Sequence, residues 1–104
     1  MSTRKKSDAI RSLEKVTGGP VTLGRFLEAV RKGEEMSQPA FAKTLGISKS
    51  HLNDIEKGRK AVSPERAARF AEVLGYSEAR LVKLALQDLV DRGGLKLHVD
   101  VKAA

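Results

Sequence analysis

Polar side chains between residues 48 and 58 recur at the spacing of one side of a helix. Leu52 and Ile55 stand three residues apart and form an apolar side. The opposite side carries two ammonium groups, a hydroxyl, an amide and a carboxylate, on Lys49, Lys57, Ser50, Asn53 and Asp54. Such groups can hydrogen bond to base edges and to phosphates. The pattern is typical of a helix that packs by one side and binds by the other.

The residues before this helix predict another helix and a tight turn. The stretch from Ser37 to Gly58 is SQPAFAKTLGISKSHLNDIEKG. Ala42 is small where two helices would cross closely, and Gly46 can adopt the positive φ that ends the first of them. Together these features indicate a helix-turn-helix unit, whose second helix enters the major groove of DNA.

The stretch resembles the Xre/Cro family, the helix-turn-helix proteins related to lambdoid phage repressors. The positions at the family's characteristic spacings are Gln38, Ala42, Gly46, Ile47, Ser48, Leu52, Ile55, Glu56 and Gly58. The resemblance implies a lambda-repressor-like domain of five helices between Thr22 and Arg92. It also implies that double-stranded DNA is the partner.

The resemblance assigns base-reading roles to individual residues. In the family, the first two residues after the cap of the second helix read bases, and a third reader follows one turn later. This implies base reading by Lys49, Ser50 and Asp54, flanked by His51 and Asn53. Lys49 would donate to guanine O6 and N7, and Asp54 would accept from cytosine N4, which favours G·C pairs.

Phosphate contacts and one structural pair complete the expected site. The resemblance implies that Gln38 binds a phosphate and braces the recognition helix. The other expected phosphate contacts are Ser48, Lys57, Arg59 and Lys60. Family spacing pairs Glu56 with Arg31 on the first helix. We expect this pair to be structural, since a buried ion pair orients helices without adding much net stability.

The composition favours a nucleic-acid partner over a catalytic or metal site. Twenty Lys and Arg against 13 Asp and Glu give a net charge of +7, which suits nucleic acid, an anionic membrane or an acidic protein. With no Cys and two distant His (His51 and His98), the chain offers neither a disulfide nor a zinc site, and we expect no cofactor. No activated nucleophile accompanies His51, so we expect no enzymatic activity.

Length and hydropathy predict one small domain. The 104 residues leave no room for a separate sensing or catalytic domain. No apolar run approaches the roughly 18 residues needed to cross a bilayer, and the basic start of the chain lacks an apolar segment behind it. We therefore expect a cytoplasmic protein that does not bind membranes.

Serine, threonine and glycine residues divide the chain into segments with apolar residues three and four apart. The sequence predicts an all-α fold with five helices in residues 21–94, whose caps are Thr22, Ser37, Ser48, Ser63 and Ser77. Residues 1–20 predict a basic arm and a short helix; the arm either follows the DNA backbone or stays solvated. Because the chain has few aromatic residues, we expect an aliphatic core.

The period changes to two in residues 95–104. Leu95, Leu97, Val99 and Val101 alternate with polar residues, which predicts a β-strand with one apolar face. A lone strand leaves backbone groups unmatched, so we expect it to pair with the same strand of a second subunit. Centring on His98 sets Lys96 opposite Asp100. The alternatives are a disordered tail and a strand that adds to another protein's sheet.

Three functions follow from these features. The leading hypothesis is a sequence-specific repressor that acts as a homodimer on a two-fold operator. The second is an antitoxin that neutralises a cognate toxin protein and also represses its own operon. The third is a pure protein-interaction module, which the basic recognition face disfavours.

Overall fold

The computed structural model describes residues 21–104, which form five α-helices. The helices are α1 (Leu23–Gly33), α2 (Gln38–Leu45), α3 (Lys49–Glu56), α4 (Pro64–Leu74) and α5 (Glu78–Arg92). The predicted all-α, five-helix domain is confirmed for this part of the chain. The basic arm and short helix predicted for residues 1–20 lie outside the described residues.

Each helix begins directly after the serine or threonine that the sequence predicted as its cap. The cap oxygens accept a hydrogen bond from the backbone N–H three residues on, for example Ser48 Oγ from His51 N at 3.0 Å. Gly46 and Gly75 end α2 and α4 in the left-handed conformation. The turns are therefore set by local sequence.

The core lies between all five helices and contains the aromatic residues as well as aliphatic ones. Phe26, Phe41 and Phe70 are each at most 2 % exposed, and the Phe26 ring meets Tyr76 edge-on at 5.0 Å between centroids. The expectation of an aliphatic core is wrong in this respect. Three large rings fill the centre because each can bury more apolar area than an aliphatic side chain.

Gly24 lets α1 cross α3 at close range. A Cβ atom at this position would overlap the backbone carbonyl oxygen of Ile55. The crossing holds the buried side of α3, including Leu52 and Ile55, against α1. The position of α3 therefore depends on the absence of a side chain at Gly24 of α1.

The predicted C-terminal β-strand is wrong for the single chain. Residues 95–104 contain no regular secondary structure. The described chain supplies no second strand, and the tail instead folds back on α5. There Gln87 Nε2 donates to the Leu97 carbonyl oxygen and Gln87 Oε1 accepts from Val99 N, both at 2.8 Å.

The four apolar residues of the tail do not share one environment. Val99 and Val101 are half-buried, whereas Leu95 and Leu97 are 55 % and 60 % exposed. The Gln87 side chain thus satisfies two backbone hydrogen-bonding groups of the tail, while Leu95 and Leu97 remain exposed to solvent.

Candidate nucleic-acid interface

The recognition helix α3 presents its N-terminal residues to solvent. Leu52 and Ile55 are 0 % and 2 % exposed and fix its inner side against α1 and α2. Ser48, Lys49 and Ser50 are exposed at the opposite side. Within residues 21–104, no hydrogen bond or ion pair engages the side chains of Lys49 and Ser50. Both are therefore available to an external acceptor.

A buried carboxylate holds α3 to the two preceding helices. Glu56 accepts from Arg31 through both oxygens, at 2.7 Å from Nε and 3.0 Å from Nη2. Gln38 Nε2 donates to the same carboxylate at 3.0 Å. Arg31 also donates to the Met36 carbonyl oxygen at 3.1 Å. In the described part of the chain, no buried side-chain polar atom lacks a partner.

These contacts shift the ionisation of the pair in opposite directions. Burial acts to raise the pKa of Glu56, but hydrogen bonds from Arg31 and Gln38 and the Arg31 charge outweigh it, so this pKa is lowered. The hydrogen bond to Glu56 raises the pKa of Arg31. Both side chains therefore stay charged at neutral pH.

Gln38 and Asn53 link α2 to α3 beside this pair. Gln38 Nε2 donates to Asn53 Oδ1 at 3.1 Å as well as to Glu56. Both residues are half-buried. The geometry gives Gln38 a bracing contact to the recognition helix and turns the Asn53 oxygen toward α2.

The last turn of α3 carries a charge cluster. Asp54 Oδ1 accepts from Arg59 Nε at 2.9 Å, and Asp54 Oδ2 lies 3.7 Å from Lys60 Nζ. The hydrogen bond from Arg59 lowers the pKa of Asp54, and the nearby charges of Arg59 and Lys60 act in the same direction. Lys57, which caps the helix, is exposed. All four residues lie at the same end of the helix.

His51 faces α4, where it meets Arg66. Arg66 Nη1 lies 3.2 Å from Nδ1 and 3.3 Å from Nε2 of the ring. Burial lowers the pKa of His51, and the charges of Arg66 and Lys60 lower it further. Arg66 brings a further positive charge to the side of α3 and was not among the residues predicted for the interface. Its position in the first turn of another helix carries no motif that would have revealed it.

Residues 22–84 match the family model described as a helix-turn-helix domain. The chain belongs to this family. The match covers all of α1 to α4 and the first part of α5, and it includes the whole interface around α3. The predicted membership of the Xre/Cro type of helix-turn-helix protein is confirmed.

Two relatives of this helix-turn-helix domain come from Bacillus and one of its phages. The ImmF control region 10 kDa protein of Bacillus phage phi105 is 32 % identical over 72 residues, which cover 69 % of this chain and 79 % of the relative. The uncharacterized HTH-type transcriptional regulator YazB of Bacillus subtilis (strain 168) is 41 % identical over 58 residues, covering 56 % and 84 %. No solved structure matches the chain.

The described part of the helix-turn-helix domain contains neither a metal-binding cluster nor a membrane-spanning helix. Among residues 21–104, no group of three or more His, Cys, Asp or Glu side chains could hold a metal ion. In the same range, none of the helices combines the length and apolar character that crossing a membrane requires.

Proposed function

We propose that the protein is a sequence-specific transcriptional regulator that places α3 in the major groove of DNA. The observation that carries this proposal is the division of α3 into two sides. Its inner side is fixed by Leu52, Ile55 and Glu56, while Lys49 and Ser50 are exposed at its N-terminal end. A rigidly held helix with free polar groups at its start suits base-edge contacts.

Within this proposal, Lys49 and Ser50 read bases, with Asp54 one turn further on. Lys49 Nζ donates to guanine O6 and N7, and the Ser50 hydroxyl can donate or accept. His51 and Asn53 flank the readers and are half-buried. Phosphate contacts come from Ser48, Lys57, Arg59 and Lys60. Both Nε2 hydrogens of Gln38 are used by Asn53 and Glu56, so its role in this proposal is to brace α3.

The test compares a base reader with a phosphate contact. Lys49→Ala should weaken binding to a selected DNA site by about 1–3 kcal/mol and change random DNA much less. Lys57→Ala should weaken both kinds of DNA and reduce the salt slope by about one unit. Lys83→Ala, which removes an exposed charge from α5, is the control. Equal losses for Lys49→Ala and Lys57→Ala on both kinds of DNA would refute these roles.

We further propose that the regulator represses by occupying a two-fold operator as a homodimer. Exposed Leu95 and Leu97 give a second copy an apolar surface to cover. Two-fold pairing centred on His98 sets Lys96 opposite Asp100, which makes the tail complementary to itself. Gln87 already binds the Leu97 carbonyl oxygen and the Val99 N–H, which lie on one edge of the tail backbone. A partner tail would therefore hydrogen bond to the opposite edge, which carries the N–H and carbonyl groups of His98.

An antitoxin is the alternative that the same surface supports. The exposed Leu95 and Leu97 side chains could pack on a toxin protein rather than on a second copy. Co-expression of the chain with the products of neighbouring reading frames distinguishes the antitoxin from the repressor. A small protein that co-purifies in fixed proportion favours the antitoxin, whereas a homodimer that binds DNA alone favours the repressor.

A further inference from the structure

The carboxylate of Asp54 is engaged by two cations of its own chain. Arg59 uses one oxygen, at 2.9 Å, and Lys60 lies 3.7 Å from the other. The side chains of Arg59 and Lys60 are 57 % and 61 % exposed, and that of Asp54 is 27 % exposed. The cluster therefore lies at the surface, at the end of the recognition helix.

The backbone holds the same three residues together independently of their side chains. The Asp54 carbonyl oxygen accepts from Arg59 N at 2.8 Å and from Lys60 N at 3.2 Å. Gly58 turns the chain with a φ of +77°, and its carbonyl oxygen accepts from Arg92 Nη2 at 2.9 Å. Because the loop is fixed by these bonds, removing the Asp54 charge should leave Arg59 and Lys60 where they are.

A carboxylate and a phosphodiester are similar hydrogen-bond acceptors for a cationic side chain. Each offers two oxygens that share a negative charge, and each accepts charge-assisted hydrogen bonds from Arg and Lys. A DNA phosphate that approaches Arg59 or Lys60 therefore competes with the Asp54 carboxylate, which already holds Arg59 through Nε and lies beside Lys60. Exposed ion pairs of this kind are weak, so displacement is feasible.

From this geometry we propose that Asp54 limits sequence-independent DNA binding by competing with phosphates for Arg59 and Lys60. The inference rests on the proposed DNA-binding function and gives one of its residues a second role. With Asp54 in place, the cluster contributes a net charge of +1; without the carboxylate it would contribute +2, from two cations free to bind phosphate.

The experiment measures binding of the full chain to a random-sequence DNA duplex as a function of salt, so no operator need be known. Asp54→Asn removes the charge and keeps the size and one acceptor oxygen. We expect its affinity for random DNA to rise about threefold or more at low salt. The slope of log K against log [salt] should steepen by about one to two units, since each added phosphate contact contributes about 0.9.

Two comparisons separate competition from a general charge effect. Glu28→Gln removes a carboxylate that pairs with Lys32 on α1 at 3.6 Å, and it should leave the slope unchanged. In a background of Arg59→Gln and Lys60→Gln, Asp54→Asn should have no further effect, because the cations for which it competes are absent. Thermal unfolding confirms that each variant is folded.

The outcomes distinguish the inference from the proposed function. If the native chain binds no DNA, both are overturned. If the native chain binds and Asp54→Asn leaves affinity and slope unchanged, only the inference fails. The inference also fails if Asp54→Asn loses discrimination at one base pair with an unchanged slope, because Asp54 would then have only the base-reading role already proposed for it. An effect that persists without Arg59 and Lys60 would likewise refute competition.

Discussion

The orientation of the recognition helix depends on one buried carboxylate, that of Glu56. Arg31 reaches it from α1 and Gln38 from α2, so three helices meet at one charge. A buried pair of this kind adds little net stability, but leaving one partner alone is costly. The residue therefore constrains geometry more than it contributes to stability.

Arg31→Ala should destabilise the domain by about 3 kcal/mol, because it leaves Glu56 buried with only Gln38 as a donor. The melting temperature should fall by more than about 10 °C for a domain of this size. Arg25→Ala, at an exposed position of the same helix, is the matched control and should change little. An unchanged melting temperature for Arg31→Ala would refute the role assigned to the pair.

His51 should make stability depend on pH. Burial and the neighbouring charges of Arg66 and Lys60 lower its pKa in the folded state. Below the ordinary histidine pKa of about 6.5, the unfolded chain takes up a proton that the folded chain resists. Stability should therefore fall as pH decreases below that value.

The measurement is denaturant unfolding at a series of pH values between neutral and mildly acidic. His51→Gln should flatten the decline. The same slope in the native chain and in His51→Gln would contradict the assignment.

At the scale of elements, the crossing of α1 and α3 gives a sharp test. Gly24→Ala should destabilise the domain by about 1–3 kcal/mol or more, because the added methyl group meets the Ile55 backbone rather than a flexible side chain. Gly33→Ala is the control in the same helix, since its Cβ would meet nothing within 4 Å. It should be neutral or stabilising, because Ala is the better helix former by up to about 1 kcal/mol. Chemical denaturation of the two variants checks the contrast.

The helices could be predicted from sequence because their boundaries are decided locally. The hydroxyl oxygen of a serine or threonine caps each helix by accepting a hydrogen bond from the backbone N–H three residues later. Gly46 supplies the left-handed turn after α2. The pairing of Arg31 with Glu56 was predicted from the spacing of the corresponding residues in the Xre/Cro family. In both cases the deciding information lies in residue types at short or characteristic intervals.

Gly24, Arg66 and the tail could not be predicted in the same way. Gly24 matters because of a carbonyl 31 positions later, and Arg66 because α4 brings it to His51. The alternation in residues 95–104 predicted a strand, but a strand also requires a neighbouring strand, and residues 21–104 contain none. Gln87, ten residues before Leu97, supplies a side-chain amide in its place.

At the scale of the whole molecule, the homodimer that we propose is joined through the tail, residues 95–104. Deleting residues 95–104 should convert the proposed homodimer to a monomer, because the deletion removes the exposed Leu95 and Leu97 and the self-complementary Lys96 and Asp100. Sedimentation at several protein concentrations measures the change.

Binding to a two-fold DNA site should weaken in parallel, while binding to a single half-site should be retained. A truncated chain that dimerises with undiminished affinity would show that the contact lies elsewhere. Lys96→Asp and Asp100→Lys offer a second check, since each alone should weaken the dimer and the double variant should restore it.

The two sides of α3 also separate what evolution can change from what it must keep. Leu52, Ile55 and Glu56 bind the helix to its neighbours, whereas the exposed Lys49 and Ser50 side chains make no hydrogen bond or ion pair within residues 21–104. Substitutions at such exposed positions usually change stability by no more than about 0.5 kcal/mol. With the base-reading roles proposed for Lys49 and Ser50, a duplicated copy could acquire a new DNA target through two codons without a stabilising mutation first. A library randomised at these positions should consist mostly of folded proteins.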